Sequence, residues 1–295
     1  MINIIEKYSD PIFIIGNARS GTTLLRLMLS SHKNIIIVPE NGFSVWLYDK
    51  YKWWKYDDCK LDRFLEDLFN TRKFETWNLS YQGLKCFIKD LKPESYNELA
   101  MLVYIFYCKS KNDNFKRWGD KNTFYITEIK KIDLIFNNCK FIHIIRDGRD
   151  VACSYINLSK RKINSKYAPN LPDNINDIAY QWRSNILKIK NDLSKLEEGR
   201  YIEIKYEDLV LFPEKTLKSI CKYIGEDYDN NMLKYYDMNQ QNDLEPKEFL
   251  QWKEKTIQPL DANNIRKYER VLSREEIQIF NNIACDVLRL YDYNI

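Results

Sequence analysis

The sequence predicts an α/β chain, a three-layer architecture whose central, mostly parallel sheet is flanked by helices. Three observations point there. Short and largely apolar runs at Ile12–Ile15, Ile35–Val38, Phe141–Ile145 and Tyr201–Ile204 have the pattern of strands covered on both faces. Stretches with helical spacing separate them. The first run breaks at Gly16 into a short polar loop, and Leu24, Leu25, Leu27, Met28 and Leu29 then continue as a helix.

Taken in order, the helix after that loop runs to about Ser31, and the strand Ile35–Val38 follows. Residues 43–118 read as a predominantly helical insertion rich in Trp and Tyr, with Leu84–Phe87 as a further short strand. The aromatic cluster at 46–56 within it reads first as core and helix packing. Residues 157–176 are polar, contain two prolines and read as a loop. Helices are expected over Ala179–Leu196, closed by Gly199, over Pro213–Ile224, and over Arg274–Leu290. The last carries Ile277, Phe280, Ile283, Ala284, Val287 and Leu288 on one stripe. The whole chain, 1–295, reads as one domain.

Composition excludes several classes. A net charge of +4, from 46 Lys+Arg against 42 Asp+Glu, is too balanced for a nucleic-acid-binding stripe. No run approaches the ~20 apolar residues that span a bilayer, so no integral membrane segment is expected. Met1–Lys7 lacks the basic region and apolar core of a secretory leader. The seven cysteines have no CxxC spacing, which argues against a disulfide framework or a zinc site and for a cytoplasmic protein.

The chemistry begins at Gly16-Asn-Ala-Arg-Ser-Gly-Thr-Thr23. A strand, a loop of this length and a helix N-terminus together cradle an anionic ester. Four residues separate Gly16 from Gly21, as in a P-loop, but Thr22 stands where a nucleotide kinase needs Lys. The cation is Arg19 instead. A second anchor lies far away, where strand Phe141–Ile145 runs into Arg146, a turn at Asp147-Gly148, and a helix carrying Ser154. An Arg fork with a hydroxyl on the next helix suits a phosphate. A third strand-to-helix junction, Tyr201–Leu209, presents Tyr206.

These segments resemble the sulfotransferases that use 3′-phosphoadenosine-5′-phosphosulfate (PAPS), and the resemblance runs from about Pro11 to Arg270. It implies a P-loop-type fold and PAPS as co-substrate, with adenosine 3′,5′-bisphosphate (PAP) as product. Arg19, Ser20, Gly21, Thr22 and Thr23 would form the 5′-phosphosulfate loop. Arg146 and Ser154, eight positions apart, would hold the 3′-phosphate, with Tyr206 near the adenine. The sulfuryl group carries less charge than a phosphoryl group, so no metal is expected.

A base for the acceptor hydroxyl is still needed. His32 lies one helix length from the loop, roughly 16 Å, and His143 sits mid-strand between isoleucines, so neither qualifies. Glu40 follows the second strand at the sheet edge where ligands bind. It falls 21 residues after Arg19, the spacing of the catalytic Glu in tyrosylprotein and some carbohydrate sulfotransferases. Gly119-Asp-Lys-Asn-Thr123 resembles their lysine segment, which makes Lys121 an electrostatic catalyst beside Arg19. One departure is Gln258-Pro259, where the tyrosylprotein enzymes carry Lys-Pro. Trp252, Lys253, Arg266 and Lys267 are candidates for donor contacts. The acceptor is expected to bear a hydroxyl. The Glu-type site and the aromatic insertion favour a carbohydrate or glycolipid over a protein tyrosine or a small alcohol. A P-loop kinase is disfavoured by the missing loop Lys, and a silent nucleotide-binding protein by the presence of both Glu40 and Lys121.

Overall fold

The computed structural model describes residues 4–295, so the first three residues of the Met1–Lys7 stretch lie outside it. In chain order, strand β1 (Ile12–Ile15) leads into helix α1 (Thr22–Ser30) and strand β2 (Ile35–Ile37). Helices α2 (Asp58–Phe69), α3 (Tyr81–Leu91) and α4 (Tyr96–Lys111) follow, then strand β3 (Arg117–Lys121) and strand β4 (Lys140–Ile145). Helices α5 (Gly148–Ser159) and α6 (Ile175–Leu193) precede strand β5 (Tyr201–Lys205), and α7 (Pro213–Ile224) and α8 (Arg274–Leu290) complete the main elements.

The five strands form one sheet in the order β2-β3-β1-β4-β5, and every neighbouring pair is parallel. Alternation along β1 divides the core. Phe13 and Ile15 join the helical stretch 43–111, through residues such as Phe43, Trp77 and Tyr104. Ile12 and Ile14 face the other layer, against Leu25 and Met28 of α1 and Leu217 and Ile220 of α7. A third cluster packs Val151 of α5, Trp182 of α6 and Phe280 of α8. Among the described residues no helix is long and apolar enough to cross a membrane.

Three expectations need correction. Leu84–Phe87 is not a strand but the middle of α3, whose first turn is capped by Ser80 accepting from the Gly83 amide. Four residues of alternating character do not distinguish the two periods. Conversely, Arg117-Trp-Gly-Asp-Lys121 forms β3, between β1 and β2, in spite of its poor strand formers. Pairing on both sides overrides propensity there. Helix α6 also begins at Ile175, four residues before the expected Ala179, because Asn174 caps it by accepting from the Asp177 amide.

Gly119 is what lets β3 lie so close to β1. A Cβ at this position would sit 2.3 Å from the Ile12 carbonyl oxygen and 2.6 Å from the Ile37 side chain. Gly119→Ala should therefore lower stability by about 1–3 kcal/mol, read as a fall in the urea midpoint at constant slope. An unchanged midpoint would contradict this packing.

Candidate active site

The carboxyl ends of all five strands converge on one region. The loop Gly16–Gly21 follows β1, Glu40 lies three residues beyond β2, and Lys121 ends β3. Arg146 follows β4 directly, and Tyr206 follows β5. Arg19, Gly21, Thr22, Thr23, Glu40, Arg146, Ser154 and Tyr206 line a common cavity of about 670 Å³. Ser20 is buried, with its hydroxyl unpartnered.

Glu40 is the centre of this region. Its Oε1 accepts from the fully buried Lys121 ammonium, and its Oε2 accepts from Lys73 Nζ at 2.5 Å. Lys253 Nζ lies 3.3 Å from the same Oε1. Burial alone would raise the Glu40 pKa, but Lys121, Lys253 and Lys73 together hold it well below the ordinary carboxylate value. Burial in turn lowers Lys121 to about 8, against the opposing pull of Glu40. Lys121 Nζ also donates to Thr23 Oγ1 at 3.0 Å, which joins Glu40 to the phosphate loop through one ammonium.

Lys73 had no sequence signal. It lies on a turn at positive φ, 74°, and Asn41 holds that turn by donating to the Arg72 carbonyl at 2.9 Å and to Thr71 Oγ1 at 3.2 Å. The residue after Glu40 thus delivers a second cation to it. Asp120 is also new. It is fully buried, accepts from the Tyr104 and Tyr125 hydroxyls, and accepts the Lys121 amide at 2.6 Å. Burial pushes its carboxyl up to about 7, against those hydrogen bonds. Tyr125 also contacts the Asn41 carbonyl at 3.2 Å, so one phenol ties the Glu40 segment to the end of β3.

Ser154 is held by Arg19, whose Nε donates to its Oγ at 3.0 Å. Arg19, at φ 66°, also donates to the Trp252 carbonyl at 3.1 Å. Arg146 donates to the carbonyls of Arg19, at 3.2 Å, and Asn264, at 2.7 Å. Its guanidinium sits 4.3 Å from the Tyr206 ring centroid, so one face of that ring is already occupied. The Tyr206 edge abuts Gly21, where a Cβ would meet it at 2.6 Å and where φ is +98°. Of the other candidates, Trp252, Lys253 and Lys267 line the cavity, whereas the Arg266 side chain pairs with Glu269. Both histidines are engaged elsewhere, His32 with the Asp227 carbonyl and His143 with Glu203.

A family model for the sulfotransferase family matches residues 11–230. The chain belongs to the sulfotransferase family. It is accordingly a transferase that draws its sulfuryl group from PAPS. It is 22% identical over 293 residues to protein-tyrosine sulfotransferase A of Caenorhabditis elegans, covering 98% of this chain and 69% of that one. Its fold matches the sulfotransferase domain of the curacin biosynthetic pathway, with TM-score 0.59, 21% identity, and coverage of 97% and 98% of the two chains. A mouse sulfotransferase solved with PAP matches with TM-score 0.51 and 13% identity, over 96% of this chain and 85% of that one.

One feature of the cavity wall fits an anionic donor. Arg146 Nε is buried without a partner, although the rest of its guanidinium is paired. Such a sulfotransferase site also makes a pH prediction. Folded Lys121 releases its proton near pH 8, whereas an unfolded lysine keeps it to ~10.4. Between those values the unfolded chain binds more protons, so stability gains from this group as pH rises. Urea unfolding from pH 7.5 to 10.5 should show wild type gaining on Lys121→Met with pH. A constant difference between the two would contradict the burial argument.

Proposed function

We propose that residues 1–295 act as one sulfotransferase domain, transferring the sulfuryl group of PAPS to a phenolic hydroxyl of the tyrosine type. Glu40 serves as general base. The observation that carries the proposal is the contact chain Glu40–Lys121–Thr23, which sets a carboxylate and an ammonium at the rim of the phosphate loop. As the acceptor oxygen bonds to sulfur, its proton passes to Glu40. The bond from sulfur to the bridging oxygen of the 5′-phosphate breaks, and the electron pair stays on that phosphate. Lys121, Arg19 and the Thr22 and Thr23 hydroxyls stabilise the charge that develops there. Arg146 and Ser154 anchor the 3′-phosphate, and Tyr206 borders the nucleoside.

Three considerations favour a phenol over the carbohydrate that the sequence pointed to. The aromatic insertion is mostly core. Trp54 and Trp77 are buried, Trp53 is exposed, and Trp46 is the member of that cluster on the cavity wall, stacked on Phe124 at 5.3 Å. In addition, a carboxylate held below its ordinary pKa is a weak base, better matched to a phenol of pKa ~10 than to the far less acidic hydroxyl of a sugar. The likeness to a protein-tyrosine sulfotransferase over nearly the whole chain points the same way.

With ³⁵S-labelled PAPS, label should enter a tyrosine peptide in preference to a glycan or an aliphatic alcohol. Labelling of the glycan alone would overturn the acceptor assignment. Glu40→Gln should reduce kcat by about 10²–10⁴-fold while PAP affinity stays within about twofold by calorimetry. Equal loss of both would contradict its role as base. The 3′-phosphate site is tested separately. PAP at ~100 times its Kd should stabilise the protein by about 2.7 kcal/mol, and Arg146→Met should abolish its advantage over AMP. A variant that still discriminates the two nucleotides would remove Arg146 from that role.

A further inference from the structure

Lys253 is buried, 7% exposed, at the end of a short helix, Leu250–Lys253, more than 200 residues from the phosphate loop. Its ammonium lies between two carboxylates, 2.5 Å from Glu245 Oε1 and 3.3 Å from Glu40 Oε1. That Glu40 oxygen is the one that Lys121 contacts. Two ammonium groups therefore converge on one carboxylate atom. The neighbouring residue, Trp252, offers its carbonyl to Arg19, so the same short helix touches both the loop cation and Glu40.

The support behind Lys253 is unusual. Glu245 is fully buried against Arg26 of α1, which also donates to the Ile37 carbonyl at 3.1 Å and the Leu244 carbonyl at 2.8 Å. Arg26 thus fixes Glu245, and Glu245 fixes Lys253. Lys73, Lys121, Lys253 and Arg26 face only Glu40 and Glu245 in this cluster, which leaves two positive charges uncompensated. Lys73 is partly exposed at the cavity and the other three are buried, and such an excess is costly unless an anion completes it. A phosphosulfate group carries two negative charges, one on the phosphate side and one on the sulfuryl side of its bridging oxygen.

Building on the function proposed above, we propose that Lys253 is a second catalytic cation, contacting the sulfuryl group during transfer alongside Lys121. The Arg26–Glu245 pair is its positioning device. Lys253 reaches the group because Glu40, the base, and the sulfur share the acceptor oxygen, and Lys253 already touches Glu40. Its charge offsets the negative charge that builds on the sulfuryl oxygens and the departing phosphate.

The test compares Lys253→Met and Lys253→Arg with wild type, measuring kcat and PAP affinity. PAP lacks the sulfuryl group, so it reports the nucleotide site without it. The expected result for Lys253→Met is a kcat loss on the order of 10²-fold with PAP affinity within about twofold, and recovery of at least tenfold in Lys253→Arg. A kcat within about threefold of wild type, or a fall in PAP affinity that matches the fall in kcat, would overturn the proposal. Lys253→Gln keeps a hydrogen-bond donor between the two carboxylates but no charge. It gives the same reading if Lys253→Met does not fold, and wild-type kcat in it would be equally fatal. Glu40→Gln and Lys121→Met are run in parallel. Full activity in those two would overturn the assignment of the whole site, whereas their inactivity beside active Lys253 variants would overturn this inference alone.

Discussion

One buried carboxylate organises the functional end of this protein. Glu40 collects ammonium groups from three distant places: the turn at Lys73, the end of β3 at Lys121, and the C-terminal segment at Lys253. None of these segments is adjacent to another in sequence, and each is locked by its own device. Asn41 pins the turn, Asp120 with Tyr104 and Tyr125 fixes the end of β3, and Arg26 with Glu245 seats Lys253. Glu40 is the shared partner of all three ammonium groups, so removing it would leave them without their common carboxylate. This shared pairing holds Glu40, the phosphate loop and the late chain segment in one geometry.

This arrangement also sets the electrostatic character of the site. The cluster keeps Glu40 ionised and Lys121 poorly solvated, with an excess of positive charge beside the loop. A protein optimised for stability alone would replace such a cluster with apolar side chains. A sulfotransferase, by contrast, has a use for it. An anion at the phosphate loop would offset the repulsion among the lysines.

Four of the five strands were legible because isoleucine, valine and phenylalanine dominate them. β3 was not, since Arg117, Gly119, Asp120 and Lys121 read as a loop until flanking strands pair with them. Leu84–Phe87 misled for the opposite reason, its short apolar alternation being compatible with helix α3. The nearness of Glu40 and Lys121 to the phosphate loop was readable from motif spacing, and the position of Arg146 and Ser154 on the cavity wall from their strand-to-helix junction. The pairing of Ser154 with Arg19 was not, because it depends on how two loops meet in space. Lys73 and Glu245 lie in polar stretches that look solvated. One signal did exist: Arg26 interrupts the apolar run Leu24–Leu29, and an arginine on a buried helix face requires a carboxylate somewhere.

The most direct test of the lysine clamp is the titration of the Glu40 carboxyl itself, followed by ¹³C NMR and assigned by its loss in Glu40→Gln. With three ammonium groups on one carboxylate, the resonance should stay at its ionised position from neutral pH down to acid unfolding. A titration midpoint at or above the ordinary glutamate value, ~4.3, would show that the lysines do not close on Glu40 and would contradict the account built on it.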